Sequence, residues 1–402
     1  MKTKNYLSII FLMLIPFIGE AQWTKVHTKQ AICFTSVGTT LIAGTPNSID
    51  ISTDDGLTWT NKLSTGSNVN SIISLGDKVL AGTFVGTNSG GIYLSNDQGK
   101  TWIPVNNGLP KSDFIFSLAI KGNKIFAGTQ SNGLYISSND GTSWSKMGSP
   151  TLTNKLIQCL LVSDNSIYAG TENGIFLSTD EGTTWKNIGF TGYTALTLKM
   201  NGTTLYASIR NKGIYKSKDN GANWTIINQG LPAQPECNDF VFSGNAIFIN
   251  SDGRVYMSTD EGSNWNSVSE GIFTYSGIIS LHKHNTKLYG GSMDIKGNNT
   301  PNYVGTWSRS ISEMTTGIKK YELSNINLYP NPSNGVINIE NVNNAEYKIE
   351  IVNTLGQNIY QQTITTTTTT IHLNNLGNEG IYFVNVYDDH SNLIDVKKIV
   401  LQ

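Results

Sequence analysis

Cysteine is scarce in this 402-residue sequence: Cys33, Cys159 and Cys237 are the full set. Their number is odd and they lie far apart, so no disulfide framework or zinc-ligand spacing can be built from them. They read as small buried or idle thiols. Arginine is equally scarce, with Arg210, Arg254 and Arg309 and none in the first two hundred positions. Charged residues amount to 14% and the formal net charge is -1, with Lys and Arg scattered. No basic footprint for nucleic acid exists. After Leu7 to Ile18 no long apolar run occurs, and that one is too short to cross a bilayer comfortably.

Lys2 and Lys4 precede that run, and Gly19-Glu20-Ala21 follows it. A basic stretch, an apolar stretch and a small-residue site in this order predict a secretory signal peptide over 1–21. The mature chain is expected to begin at Gln22, outside the cytoplasm. Gln22 rather than Cys stands directly after the expected cut, which argues against a lipid anchor.

What is abundant is glycine, 40 residues in all, together with Ser, Thr and Asn. That is the make-up of a turn-rich all-β protein. Trp23, Trp59, Trp102, Trp144, Trp185, Trp224 and Trp265 set a ruler of roughly 40 residues. Between them recur a strand ending in Ala-Gly-Thr (LIAGT at 41–45, IFAGT at 125–129) and a third strand of the GIYLS type at 91–95 and 174–178. Four short strands per repeat predict β-propeller blades. Third strands and Trp-led fourth strands each occur seven times, but out of step. Pairing Trp23–Val26 with Gly305–Arg309 resolves the offset and predicts a seven-bladed propeller closed by the N-terminal strand, over 22–311. Trp307 then falls on a third strand, aligned with Tyr93 and Tyr135.

Each third-to-fourth hairpin carries Ser-x-Asp-x-Gly-x-x-Trp. The copies are Ser52/Asp54/Gly56/Trp59, Ser95/Asp97/Gly99/Trp102, Ser178/Asp180/Gly182/Trp185, Ser217/Asp219/Gly221/Trp224 and Ser258/Asp260/Gly262/Trp265. A sixth, Ser137/Asn139/Gly141/Trp144, has Asn in place of Asp. These residues resemble the Asp-box (BNR) repeat of sialidases and related propellers, which implies a structural turn on the outside of the propeller. The chemistry agrees: Asp accepts backbone N–H bonds, Gly takes positive φ, and Trp wedges between sheets. Each box has too few oxygens at the right spacing for a calcium loop.

Past Trp307 the repeat stops. Residues 312–325 are polar and read as a linker, and 326–402 as a small β-sandwich with strands near Val336–Ile339, Tyr347–Val352, Thr363–Leu373, Gly380–Val386 and Leu393–Leu401. The signature residues are Tyr329-Pro330-Asn331-Pro332 with Gly335, Leu355-Gly356-Gln357, Gly380 with Tyr382, and Lys398. They resemble the type A C-terminal sorting domain of the type IX secretion system of Bacteroidetes, with Asn353 where an acidic residue is often found. The resemblance implies partners in the secretion machinery, cleavage of the tail by a sortase-like protease, and release or surface attachment.

Propellers host many activities, so function rests on a site. Loops from second to third strand and from fourth strand to the next blade should form the ligand face. They carry Asp113, Glu236, Asp239, Asp294 and Tyr303, with Arg210 and Arg254 as further candidates. A sialidase needs three Arg on one carboxylate, a Tyr–Glu nucleophile pair and a general acid. The three Arg here read instead as surface and strand-end residues. A xyloglucanase-type site divides its carboxylates between two propellers, and only one is present. A photosystem II stability role, implied by a third resemblance, conflicts with export. His282 and His284 alternate on one strand as an ordinary strand-end pair. No catalytic, cofactor or metal residue is assigned, and no membrane-spanning segment is expected in the mature chain. The reading is a binding or interaction module for a polysaccharide or protein ligand, with a secreted glycoside hydrolase as the alternative.

Overall fold

Two-residue turns organise the first two strands of every repeat. Val37↔Thr40, Leu75↔Lys78, Lys121↔Lys124, Ser163↔Ser166, Asn201↔Thr204, Ser243↔Ala246 and His284↔Lys287 each close a hairpin. Their first loop residues have positive φ, from Gly38 at 55° to Asn285 at 51°, the signature of a type II′ turn that follows the strand twist. These elements come from a computed structural model, which describes residues 22–85, 90–272, 276–294, 304–315, 326–330, 333–341, 346–354, 356–373, 380–387 and 393–401. Residues 1–21, read as a signal peptide from sequence, and Tyr303, Asn331, Pro332 and residues 316–325 lie outside them.

The chain divides into two units, 1–315 and 316–402. In the first, antiparallel four-stranded sheets follow one another along the sequence. Two of them, Ser71–Leu75 onward and Asp113–Lys121 onward, are joined by a short ladder, Asp113↔Val85 and Phe114↔Phe84. In the last, Thr24–His27 pairs with Gly305–Ser310, as Thr24↔Ser308 and Lys25↔Trp307. The N-terminal strand thus completes the sheet that the chain's later strands begin, and Trp307 lies buried on a third strand.

The second strand's Ala-Gly-Thr has two jobs. The Thr hydroxyl caps the next turn: Thr129 Oγ1 donates to Gly133 O at 2.9 Å and Thr171 Oγ1 to Gly174 O at 3.0 Å. The Gly makes room. A Cβ at Gly128 would stand 2.3 Å from Ser117 Oγ and 2.7 Å from Ile157 of the next sheet. Where the position is not Gly, a polar side chain bonds to the neighbour. Ser208 Oγ accepts from Cys237 N at 2.9 Å, and Asn250 Nδ2 donates to Ile278 O at 3.1 Å.

The Ser-x-Asp-x-Gly phrase closes the outer hairpin through one network. Ser178 Oγ accepts from Gly182 N at 2.8 Å and donates to Asp180 Oδ1 at 2.8 Å. Asp180 also accepts from Thr184 N at 2.8 Å and Thr184 Oγ1 at 2.6 Å. The serine-to-glycine bond recurs at Ser52, Ser95, Ser137, Ser217 and Ser258. Asn139 reproduces the Asp pattern, accepting from Ser143 N and donating to Ser143 Oγ, both at 2.9 Å. Asp is therefore dispensable as a charge here. Hydrogen bonds from Thr58, Thr101, Thr184, Asn223 and Asn264 hold the carboxyls of Asp54, Asp97, Asp180, Asp219 and Asp260 down at about 2.

Three details of the boxes depart from the sequence reading. The wedging Trp divides into two kinds. Trp144, Trp224 and Trp265 donate Nε1–H across to Val105, Ile188 and Ile227 of the preceding sheet. Trp59, Trp102 and Trp185 bond to their own box at Gly56, Gly99 and Gly182.

The box glycine, expected only as a turn residue on the outside, is buried and packs against the preceding sheet as well. Gly141, Gly221 and Gly262 have φ of 83°, 90° and 85°, a conformation that suits only glycine well. A Cβ there would also stand 3.1 Å from Val105, 2.4 Å from Ile188 and 2.7 Å from Ile227 respectively. Those are the three residues whose carbonyls receive the Trp144, Trp224 and Trp265 bonds, so glycine and Trp grip one neighbour together. Gly56, Gly99 and Gly182 approach Tyr289, Ile42 and Met147 in the same way. Sequence shows the turn but not the neighbour that closes over it.

The residue after the box Asp or Asn also reaches back: Asp140 meets Lys78 at 2.7 Å and Glu261 meets Lys218 at 2.8 Å. Such exposed pairs set register more than stability.

The linker reading also needs correction. Ile311–Thr315 is a helical turn, and Ile311 and Met314, three apart, pack into the last sheet's core. In the tail, Ile326–Tyr329, Val336–Asn341 and Thr368–His372 form one sheet. Asn358–Ile364, Tyr347–Asn353, Gly380–Tyr387 and Leu393–Leu401 form a second, and one apolar cluster includes Ile337, Ile349, Ile371 and Val384. The expected strand Thr363–Leu373 is two strands, because residues 365–367 turn the chain.

Candidate functional site in the inner-strand cavity

Among the described residues of the first unit, the innermost strand of each sheet, or the residues just before it, lines one cavity of about 560 Å³. Register explains its lining. Five positions before the closing pair of each hairpin stands one residue per sheet, and every one of these faces the cavity. Three are amides, Asn70, Gln158 and Asn238. Four are apolar, Ile32, Phe116, Leu196 and Ile279. Phe116 continues an aromatic run, with Phe114 at 6.0 Å and Phe84 at 4.6 Å beyond it. That run leads from the cavity to the start of a second-to-third strand loop.

One position further along, five polar residues tie their sheet to a neighbour. Ser117 Oγ donates to Ile157 O at 3.1 Å and Ser280 Oγ to Ala31 O at 2.7 Å. Cys33 Sγ donates to Val69 O at 3.2 Å and Cys159 Sγ to Ala195 O at 3.8 Å. Asp239 fills the same position and accepts from Leu281 N at 3.0 Å. The thiols of Cys33 and Cys159 are thus not idle: they stand where Ser117 and Ser280 place hydroxyl donors. Burial pushes Cys159 up to about 12 and raises Cys33 and Cys237, so all three stay protonated.

The charged groups near the cavity are few. Burial raises the Asp239 carboxyl against the opposing field of Lys199. His282 is held at about 3 by burial, then by Lys199, and its Nε2 lies 2.5 Å from Ser36 Oγ. His284, two residues on, is also lowered by burial and sits 3.6 Å from Asp55. Both imidazoles are neutral at pH 7. Asp239 is the single carboxylate among the described lining residues, which leaves no acid–base pair across the cavity.

The acidic loop residues named from sequence hold loops in place. Asp113 is buried and accepts from Asn132 Nδ2 at 2.7 Å and from Ser131 N at 3.2 Å. Glu236 Oε1 accepts from Asn211 N at 2.9 Å. Glu172, which sequence reasoning passed over, does the same for Lys155 N and Leu156 N. Asp294 is 9% exposed.

The arginines do not converge. Arg210 and Arg254 are exposed beside second-to-third strand turns, with Arg254 opposite Ser251. Arg309 stands opposite Leu288, at the far end of its own sheet. It is buried rather than on the surface, and its Nη1 donates to Val268 O at 3.0 Å and Glu270 Oε2 at 2.7 Å. Among the described residues no three His, Cys, Asp or Glu side chains group as metal ligands.

In the tail, Tyr382 is buried opposite Asn353 and Ile399. Asn353 Oδ1 accepts from Gln357 N at 3.0 Å, closing the turn that contains Gly356. Leu373 N donates to Gly335 O at 2.6 Å, Ser333 N donates to Val400 O at 2.8 Å, and Tyr329 is exposed. Lys398 lies on the last strand opposite Phe383.

Comparison with known families finds the DUF6242 beta propeller domain over residues 73–192 and 191–324. It finds a secretion system C-terminal sorting domain over 327–402. No curated protein matches the chain. Among solved structures, PorZ, an essential bacterial surface component of the type-IX secretion system of Porphyromonas gingivalis, aligns with TM-score 0.52 and 14% identity. The alignment covers 93% of this chain and 59% of PorZ. YCF48 bound to D1 peptide aligns with TM-score 0.56 and 16% identity, over 73% of this chain and 97% of that one. The GH74 xyloglucanase of Xanthomonas campestris gives 0.57 and 13%, over 79% and 59%. At these identities the likeness is one of fold.

Proposed function

Because the chain belongs to the DUF6242 β-propeller domain family and ends in a secretion-system sorting domain, we propose that it is an exported binding module. The sorting domain sends it to the cell surface or outside, by way of the type IX machinery. No helix among the described residues is long and apolar enough to cross a membrane. In this reading, 22–311 form a closed seven-bladed propeller of the Asp-box type, and 326–402 a β-sandwich that a sortase-like protease removes. Its ligand, a polysaccharide or a protein, meets the face where the inner-strand cavity opens.

The observation that carries the reading is the lining itself, with amides and aromatic rings and one engaged carboxylate. Such a set can recognise a ligand, whereas glycoside hydrolysis ordinarily uses a pair of carboxyl groups. Arg309, committed to Val268 and Glu270, is unavailable for a carboxylate clamp. Incubating the full chain with glycan and polysaccharide arrays and a surface-protein extract, with assays for released sugar and sialic acid, tests this. Binding without release is expected. Catalytic release would overturn it.

A further inference from the structure

We infer that the inner-strand cavity is a subsite for a neutral sugar ring, held by Asn70, Gln158 and Asn238 and packed on Phe116. This rests on the binding-module reading and narrows it to one ligand class at one place. A pyranose presents hydroxyls that both donate and accept, and a C–H face that prefers apolar contact. Amide side chains offer both donor and acceptor without net charge, and Phe116 offers the apolar surface. All three amides share one register position with Phe116, so they reach the cavity at one level.

Much of their hydrogen-bonding capacity is unspent. Asn70 Nδ2 is buried without a partner, and buried polar atoms in native proteins are ordinarily satisfied. Gln158 makes no side-chain hydrogen bond among the described residues, and Asn238 spends only Nδ2, on Ile279 O at 3.1 Å. The cavity's 560 Å³ falls within the range of about 300–1,000 Å³ usual for small-molecule sites. Among the described lining residues Asp239 is the single carboxylate, and burial raises it. The run Phe114 and Phe84 extends the apolar surface outward, suited to further sugar units of a chain.

Titration calorimetry on the full chain tests this with neutral gluco-, manno-, xylo- and galacto-tetraoses, a tetragalacturonate and a library of twelve-residue peptides. At least one neutral tetraose should bind. Gln158→Ala should weaken it about tenfold, the equivalent of one hydrogen bond of about 1.4 kcal/mol, and Phe116→Ala should weaken it further. Lys146→Ala, on an outer strand, should change nothing. Melting curves identify any variant that fails to fold, and Gln158→Glu, similar in size but charged, provides a second route to loss of binding. If sugars bind wild type and cavity variants alike, the subsite is wrong while the binding module survives. Binding of only the peptides or the acidic sugar overturns the ligand class. Silence across the whole panel overturns both readings.

Discussion

Replacing Asp50 with alanine should loosen the joint between the N-terminal strand and the first complete sheet. The Asp50 side chain is 2% exposed and receives His27 Nε2 at 2.8 Å and Lys29 Nζ at 2.9 Å. Ser48 Oγ adds a third donor at 2.9 Å. A hydrogen bond to a charged group contributes about 1.5–3 kcal/mol, and breaking a buried pair costs about 3–5 kcal/mol. Lys29 is 42% exposed and regains water, so its share is discounted. The expected loss is about 3 kcal/mol, or about 6 °C in Tm for a unit of this size. Trp59, stacked on His27 at 4.9 Å, should report it by fluorescence. Burial raises the Asp50 carboxyl, but its hydrogen bonds from His27, Lys29 and Ser48 lower it overall. Its contribution is therefore complete above the ordinary carboxylate range and fades as pH falls below it. A Tm change within about 1 °C would refute the idea that this cluster fastens the closing strand.

Acid should act first on the outer hairpins. Five box carboxyls near 2 are depressed from their ordinary values, so their stabilisation is present above about pH 4 and lost towards pH 2; amide exchange at 54–58 and 180–184 should rise over that window, while 139–143 stays flat. Ser178→Ala removes two bonds from a buried position and should cost about 1–3 kcal/mol in urea titration; a neutral result would deny the box its stabilising role. Cys33→Ser and Cys159→Ser should fold with Tm within about 2 °C of wild type, since Ser117 and Ser280 serve the same position. Cys33→Val should be markedly worse than Cys33→Ser, and equal melting curves would count against the thiol's role as a donor.

Much of this architecture could be read from periodicity. The Trp ruler located the sheets, and the offset between third and fourth strands located the pairing of Thr24–His27 with Gly305–Ser310. The hydrogen bonds inside each box were legible because their partners lie within a few residues. The packing of Gly141, Gly221 and Gly262 on the preceding sheet was not, since Val105, Ile188 and Ile227 stand more than thirty positions away. The cavity was hidden for the same reason: its lining is a register relation among seven strands spread from Ile32 to His282. Asn70, Phe116, Gln158 and Asn238 share no motif; only counting back from each turn aligns them. The acidic loop residues misled in a related way, since sequence shows a carboxylate but not the backbone N–H it holds. Ile311 and Met314 were missed because a single helical turn leaves too short a pattern to stand out from a polar segment.

The most direct test of the account is hydrogen exchange on the full chain with and without a neutral oligosaccharide that binds it. Protection concentrated on 70–73, 114–118 and 157–160, with the box hairpins unchanged, is the predicted result. Protection at the outer hairpins or on the tail, with these inner strands unaffected, would contradict it.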